Sequence, residues 1–156
     1  MAPIEIRHAL GESEVAEVRR LLEEYAAWIA VDLSFQNFAD EMRGLPGEYA
    51  LPGGALFLGR AGASVAGCVA VRRIDHENCE MKRLFVRDSF RGLGAGEALA
   101  RQALEWAKEA GYASMRLDTL PSMGAAHKLY ERLGFKEVPA YRFNPVPGAR
   151  FLALHL

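Results

Sequence analysis

The amino-acid sequence predicts an α/β or α+β domain, one central sheet carrying helices. Three observations predict it. Runs of Val, Ile, Leu, Phe and Ala with strand length or strand alternation gather between residues 55 and 87 and return at 115–119 and 150–155. Apolar residues at helical spacing flank them, over 15–29 and 99–107. Between the strand cluster and the second helical pattern lies a glycine-rich turn, Arg91-Gly92-Leu93-Gly94-Ala95-Gly96.

From the N-terminus, Pro3 to Ala9 alternates apolar and charged residues (Ile4, Glu5, Ile6, Arg7), which suits a half-buried strand. Gly11-Glu12-Ser13 opens a helix with Val15, Val18, Leu21, Leu22, Tyr25 and Ile29 on one face and Glu and Arg on the other. Ser34 caps a second helix, Phe35 to about Arg43. Leu45-Pro46-Gly47-Glu48 and Leu51-Pro52-Gly53-Gly54 make the next stretch loop. Ala55 to Arg60 is a strand, Ala61-Gly62-Ala63 a hairpin turn and Val65 to Ile74 the partner strand, with Cys79 to Arg87 following. The helix from Gly94 to Ala110 buries Leu99, Ala103, Leu104 and Ala107, and Gly111 stops it. Met115 to Thr119 is a short buried strand. Pro121-Ser122 starts a helix that ends at Gly134. Two last strands, Lys136 to Ala140 and Arg150 to His155, enclose the loop Asn144-Pro145-Val146-Pro147-Gly148.

A chain of 156 residues suits one domain spanning 1–156, and 51% apolar residues give it a core without metal or disulfide. A formal net charge of −1 argues against nucleic acid as partner. No apolar run approaches the ~18 residues of a membrane span and no signal-like segment opens the chain, so no membrane partner and a cytoplasmic location are expected. Cys68 and Cys79 lie in apolar strand-like runs and read as small core residues. His76 and Cys79 lack a second ligand pair, so no metal is expected.

The turn is where chemistry is expected. Alternating glycines let backbone N–H groups point inward, Arg91 adds a fixed charge, and a helix N-terminus follows; together they suit a phosphate or pyrophosphate. No Lys-Ser/Thr follows, so the P-loop pattern is not met. The dinucleotide pattern fails because its third glycine falls on Glu97 and no βαβ repeat surrounds the turn, although Asp118 stands at a suitable distance downstream. A glycine-rich connection that binds nothing is the remaining reading.

The pattern Arg-x-x-Gly-x-Gly after a strand ending Leu84-Phe85-Val86 resembles motif A of the GNAT (Gcn5-related) N-acetyltransferase superfamily. Ala126 to Phe135, with Tyr130 and Gly134, resembles the same family's Ala-x-x-x-Tyr-x-x-x-Gly-Phe signature. The order of the elements above, βααβββαβαββ, matches that family's topology. The resemblance implies an α/β fold of the α+β kind with a mixed sheet and helices on both faces, and acetyl-CoA, or another short acyl-CoA, as cosubstrate. It implies transfer of the acetyl group to a primary amine of a small molecule or peptide by direct attack in a ternary complex. A non-catalytic acyl-CoA binding or sensing protein on the same fold is the alternative. A homodimer is common in the family.

Such a transfer needs a cleft, a base for the amine proton, donors for the oxyanion and an acid for the thiolate. By resemblance the pyrophosphate sits on Arg91, Gly92, Leu93, Gly94, Ala95 and Gly96, with Glu97 in the first helical turn. The pantetheine arm pairs with the backbone of Leu84 and Val86, with Phe85 between them and its ring in the core. Tyr130 is the thiolate acid in this resemblance; a tyrosine packing on the sheet is the other reading. Alternation places Glu80, Lys82, Leu84 and Val86 on one strand face. Glu80 is then the general base, or half of a salt bridge to Lys82 or an arginine, with water deprotonating the amine. Met123 stands where the family often has Asn, and the adjacent Ser122 is expected to replace its polar contact. His127 reads as a surface or edge histidine. Acidic residues across 11–50, among them Glu41 and Glu48, either favour a cationic acceptor or are solvated helix faces. Phe35, Gln36, Tyr49 and Tyr141 are candidate pocket walls.

Overall fold

Alternation of Ile4 and Ile6 with Glu5 and Arg7 builds the edge strand β1 (Ile4–His8), whose exposure alternates in step. The computed structural model describes residues 3–29, 33, 37–121 and 123–156. Ser34, Phe35, Gln36 and Ser122, named above, lie outside the described residues. Helix α1 (Glu12–Ile29) buries Val15, Val18, Leu21, Leu22, Tyr25 and Ile29, the face expected from spacing. The second helix is described as α2 (Phe38–Gly44), and a 3-10 turn covers Gly47–Tyr49. Strands β2 (Ala55–Ala61), β3 (Ser64–Arg73) and β4 (Asn78–Val86) follow as a meander. Then come α3 (Ala95–Glu109), β5 (Ser114–Thr119), α4 (Gly124–Leu133), β6 (Lys136–Glu137) and β7 (Arg150–His155). This is the predicted order βααβββαβαββ. Among the described residues, no helix is long and apolar enough to cross a membrane.

The strands form one seven-stranded sheet in the order β1-β2-β3-β4-β5-β7-β6. Every neighbouring pair is antiparallel except β4 and β5, which run parallel and are joined through α3. Helices α1 and α2 cover one face over Leu56, Leu58, Cys68, Ala70 and Phe85. Helices α3 and α4 cover the other over Phe57, Val69, Val71, Met81 and Leu117. Cys68 and Cys79 are buried, and burial pushes each thiol up to about 12.

Two expectations are corrected. The strand expected over Lys136 to Ala140 pairs only at Lys136 and Glu137, with one further bond from the Val138 N–H to the Phe151 carbonyl at 2.8 Å. Pro139 has no N–H to continue the ladder. The alternation proposed for β4 also breaks. Ala70 opposes Lys82 and Cys68 opposes Phe85, so one residue of β3 spans two of β4. The extra residue is Arg83, at φ 60. Such a bulge reverses the side-chain alternation beyond it. Leu84 and Val86 therefore pack with the α3 side, away from the face that carries Glu80 and Lys82.

Candidate active site

A wedge opens where β4 and β5 part. They pair only over Asn78–Glu80 and Ser114–Arg116, although β4 continues to Val86 and β5 to Thr119. Beyond Glu80 the two strands line opposite walls of a cavity of about 400 Å³, with Met81 to Val86 on one side and Leu117 to Leu120 on the other. The bulge at Arg83 sits at the mouth of this split. Its guanidinium forms a two-pronged pair with Glu41 of α2, Nε to Oε2 at 3.0 Å and Nη2 to Oε1 at 2.8 Å. The Tyr49 hydroxyl donates to the same carboxylate at 3.0 Å. Burial opposes the Glu41 charge, but the bonds and charge of Arg83 outweigh it and hold the carboxyl below its ordinary range. The bulge is thus tied to α2 by a buried ion pair, the side chains being 2% and 18% exposed.

At the far end of β4, a 3-10 turn (Asp88–Phe90) leads into Arg91 to Gly94, and α3 begins at Ala95. Gly92 and Gly94 adopt φ 76 and φ 83, a region that strains other residues. No side chain caps α3, and its first intrahelical bond is Ala98 N–H to the Gly94 carbonyl. The N–H groups ahead of it have no intrahelical partner, and Gly94, Ala95, Gly96 and Glu97 line this end of the cavity. Arg91 lines the cavity too, folded back so that Nε donates to the Val86 carbonyl at 2.8 Å and the guanidinium lies 4.4 Å over Trp28. Leu93 is exposed and does not line the cavity. Glu97 turns to Arg101 and Arg132, whose bonds hold its carboxyl below the ordinary range.

Tyr130 projects from α4 into the same cavity, its ring edge-on to Phe135 at 5.7 Å. Among the described residues its hydroxyl makes no hydrogen bond, and burial pushes its pKa up, so it is protonated at neutral pH. Leu84, Phe85, Val86, Gly92 and Met123 line the cavity as well. His127 turns to the Thr119 hydroxyl, 3.1 Å from Nε2.

Glu80 stands apart. It is fully buried and does not line the cavity. Its oxygens receive Arg72 Nε at 2.8 Å, Arg142 Nη1 at 3.2 and 3.1 Å, and the Tyr141 hydroxyl at 2.6 Å. Burial raises its pKa, but Lys82, Tyr141, Arg72 and Arg142 together bring it below the ordinary carboxylate range. Of the two sequence readings, the ion pair is the one its neighbours form, and a carboxylate so held is a weak base. Tyr49 and Tyr141, expected as pocket walls, line neither described cavity and serve as hydrogen-bond donors to Glu41 and Glu80.

The sequence reading missed a second cavity of about 380 Å³ on the α2 side, lined by Glu41, Glu48, Arg72, Lys82 and Arg142 among others. Lys82 lines both cavities. Burial and the charges of Arg83 and Arg142 push its ammonium down to about 8, against the opposing pull of Glu80. It also missed Asn144, which donates to Asp118 at 2.9 Å on the cleft wall. In the sequence Asn144-Pro145 reads only as part of a connection, and nothing in its local pattern marks Asp118 as its partner.

Comparison with known proteins agrees with this architecture. The model of the acetyltransferase (GNAT) family matches residues 16–135. An uncharacterized N-acetyltransferase of Schizosaccharomyces pombe is 36% identical over 145 residues, covering 92% of this chain and 89% of that protein. N-acetylaspartate synthetase of Xenopus tropicalis is 40% identical over 98 residues, 62% of this chain and 36% of that protein. An acetyltransferase of Streptococcus agalactiae superposes with a TM-score of 0.81 at 21% identity, covering 98% of each chain. A GNAT family acetyltransferase of Elizabethkingia anophelis with acetyl-CoA bound superposes with a TM-score of 0.69 at 21% identity, again over 98% of each. With a sheet split between its parallel strands, a glycine turn at the end of the split and a family match across most of its length, the chain belongs to the acetyltransferase (GNAT) family.

Proposed function

We propose that this chain, acting as one domain, transfers the acetyl group of acetyl-CoA to a primary amine of a small molecule or peptide, with both substrates bound together. The observation that carries the reading is the split between β4 and β5. It leaves the β5-facing edge of Met81–Val86 without a strand partner over a cavity that ends at an uncapped helix N-terminus. An extended amide-containing arm satisfies such an edge as an added strand does. The glycine turn and the N-terminus of α3 suit a pyrophosphate at the arm's end. The bound acetyl-CoA of the Elizabethkingia protein and the name of the Schizosaccharomyces relative support the same donor and an amine acceptor.

In this reading Leu84, Phe85 and Val86 offer backbone to the arm, and an N–H of that stretch polarises the thioester carbonyl. Gly92 to Gly96 and the Glu97 N–H hold the phosphates. Arg91 contributes its charge from the stack on Trp28. The Leu93 backbone completes the turn, and Ser122 is the expected polar neighbour of Met123. The C–N bond forms as the C–S bond breaks; the amine proton passes to water and Tyr130 supplies a proton to the thiolate. Glu80 acts as a positioning residue for Arg72 and Arg142.

The test couples binding to turnover. A ligand at about 100 times its Kd stabilises the protein by about 2.7 kcal/mol, or a few degrees. Acetyl-CoA and CoA are expected to give this shift, NADH and ATP none, and thiol release is expected to require an amine. Arg91→Ala is expected to weaken acetyl-CoA binding about tenfold, the worth of one charge-assisted contact. Binding without amine-dependent thiol release would identify the non-catalytic alternative. No shift with either CoA species would overturn the donor assignment.

A further inference from the structure

We infer that the second cavity holds the acceptor, and that this acceptor is an amine carrying a carboxylate, as a free amino acid does, bound by Arg142 and Arg72. This rests on the transferase reading above and specifies its other substrate.

The two cavities share Lys82, at the point where β4 leaves β5. The second cavity therefore adjoins the cleft at Lys82, on the α2 side. A volume of about 380 Å³ suits a small acceptor.

Of the acids between residues 11 and 50, five are paired with arginine. Glu41 is held by Arg83, Glu48 by Arg72, Asp40 by Arg43, Glu17 by Arg20 and Glu24 by Arg87. The lining of the second cavity carries three cations, Arg72, Lys82 and Arg142, and three carboxylates, Asp40, Glu41 and Glu48, each of these carboxylates belonging to one of the pairs just named.

Geometry completes the case. Arg142 gives only Nη1 to Glu80, so among the described residues Nε and Nη2 make no hydrogen bond. Those two donors form the edge of a guanidinium that meets a carboxylate with two parallel bonds. Arg72 gives Nε to Glu80 and Nη1 to Glu48, whose side chain is 71% exposed and therefore a weak, water-screened partner. The fully buried Glu80 carboxylate braces both guanidiniums from beneath, fixing their planes before any ligand arrives. An amine without a carboxylate leaves these donors desolvated and unmatched, which is how a polar site rejects an analogue.

The experiment offers acetyl-CoA with free amino acids and dipeptides, with the matching C-terminal amides, and with carboxyl-free amines such as spermidine and tyramine, and reads thiol release. At least one carboxylate-bearing amine is expected to exceed its amide by about 100-fold in kcat/KM. Arg142→Gln is expected to raise the KM of that acceptor by about 10–100-fold while the KM of acetyl-CoA stays within twofold. Arg142→Lys, which keeps the charge and loses the paired donors, is expected to fall between. A thermal shift with acetyl-CoA reports that each variant is folded and keeps its donor site. Failure of that shift in the unmodified protein strikes the transferase reading. An intact shift with equal or better turnover of carboxyl-free amines overturns the acceptor assignment alone. An intact shift with no turnover of any carboxylate-bearing amine, or an unchanged acceptor KM in Arg142→Gln, overturns it too.

Discussion

The Tyr130 hydroxyl ends a buried ring whose edge rests on Phe135, and no described group bonds it. Removing it leaves the ring and its packing in place, so Tyr130→Phe is expected to keep its Tm within a degree or two. If the hydroxyl supplies the thiolate proton, kcat falls by about 10²–10⁴-fold, the usual range for a positioned acid. Amine-dependent thiol release beside a melting curve checks both halves. Unchanged turnover would remove the acid role. Glu80 shows the limit of residue-level reading. Its strand position left base and ion-pair partner open, because the groups that decide are Arg72 across the hairpin and Arg142 far along the chain. Sequence spacing carries no sign of a pairing over 62 residues. Glu80→Gln leaves Arg72, Arg142 and Lys82 without their shared carboxylate. Breaking a buried pair in this way costs about 3–5 kcal/mol. A denaturant titration is expected to show that loss while acetyl-CoA still binds, since Glu80 does not line the cleft.

The face of α1 is legible in the sequence where that of β4 is not. The α1 stripe follows from spacing because a helix keeps one period along its length. Strand β4 does not, since one inserted residue reverses everything after it. The inserted residue is an arginine at positive φ, and nothing in Met81-Lys82-Arg83-Leu84 announces a conformation that glycine or asparagine more often adopts. The glycine turn was legible because its backbone needs are written in glycines. Nothing around Gly67 on β3 marks it in the sequence, yet it sits opposite Val86 beside the bulge. A Cβ there would lie 2.4 Å from the Phe85 carbonyl oxygen and 3.2 Å from Leu99 Cδ1. Backbone cannot move aside as a flexible side chain can, so Gly67→Ala is expected to cost about 2–4 kcal/mol. The displaced stretch is also the proposed seat of the acyl arm. Acetyl-CoA affinity is therefore expected to fall with stability, whereas Gly44→Ala, whose Cβ would meet nothing within 4 Å, is expected to alter neither.

Across the whole molecule, buried charge is lopsided. The α3 and α4 side of the sheet packs almost entirely apolar residues, while the α2 side joins Glu41 to Arg83 and Glu80 to Arg72 and Arg142 beneath the helix. This asymmetry was invisible in a net charge of −1, because the paired residues are scattered over 100 positions of the sequence and only the fold collects them. It gives stability a pH dependence of definite sign. Glu41 and Glu80 both have pKa values lowered from the reference of 4.5. The unfolded chain therefore binds their protons first as pH falls, and stability drops from just above pH 4.5 downward through their folded values. Protonation of either carboxylate also leaves clustered arginines facing one another, so the α2 side should loosen before the rest. Amide exchange between pH 5 and pH 3 is expected to rise first in α2 and in the Arg83 segment of β4, with α3 protected until global unfolding. Glu41→Gln removes the titrating group and is expected to start less stable and to show a shallower decline over the same range. Uniform exchange across both sides, or an undiminished slope in Glu41→Gln, would mean that the acid limb is set by the many exposed carboxylates and not by this buried cluster.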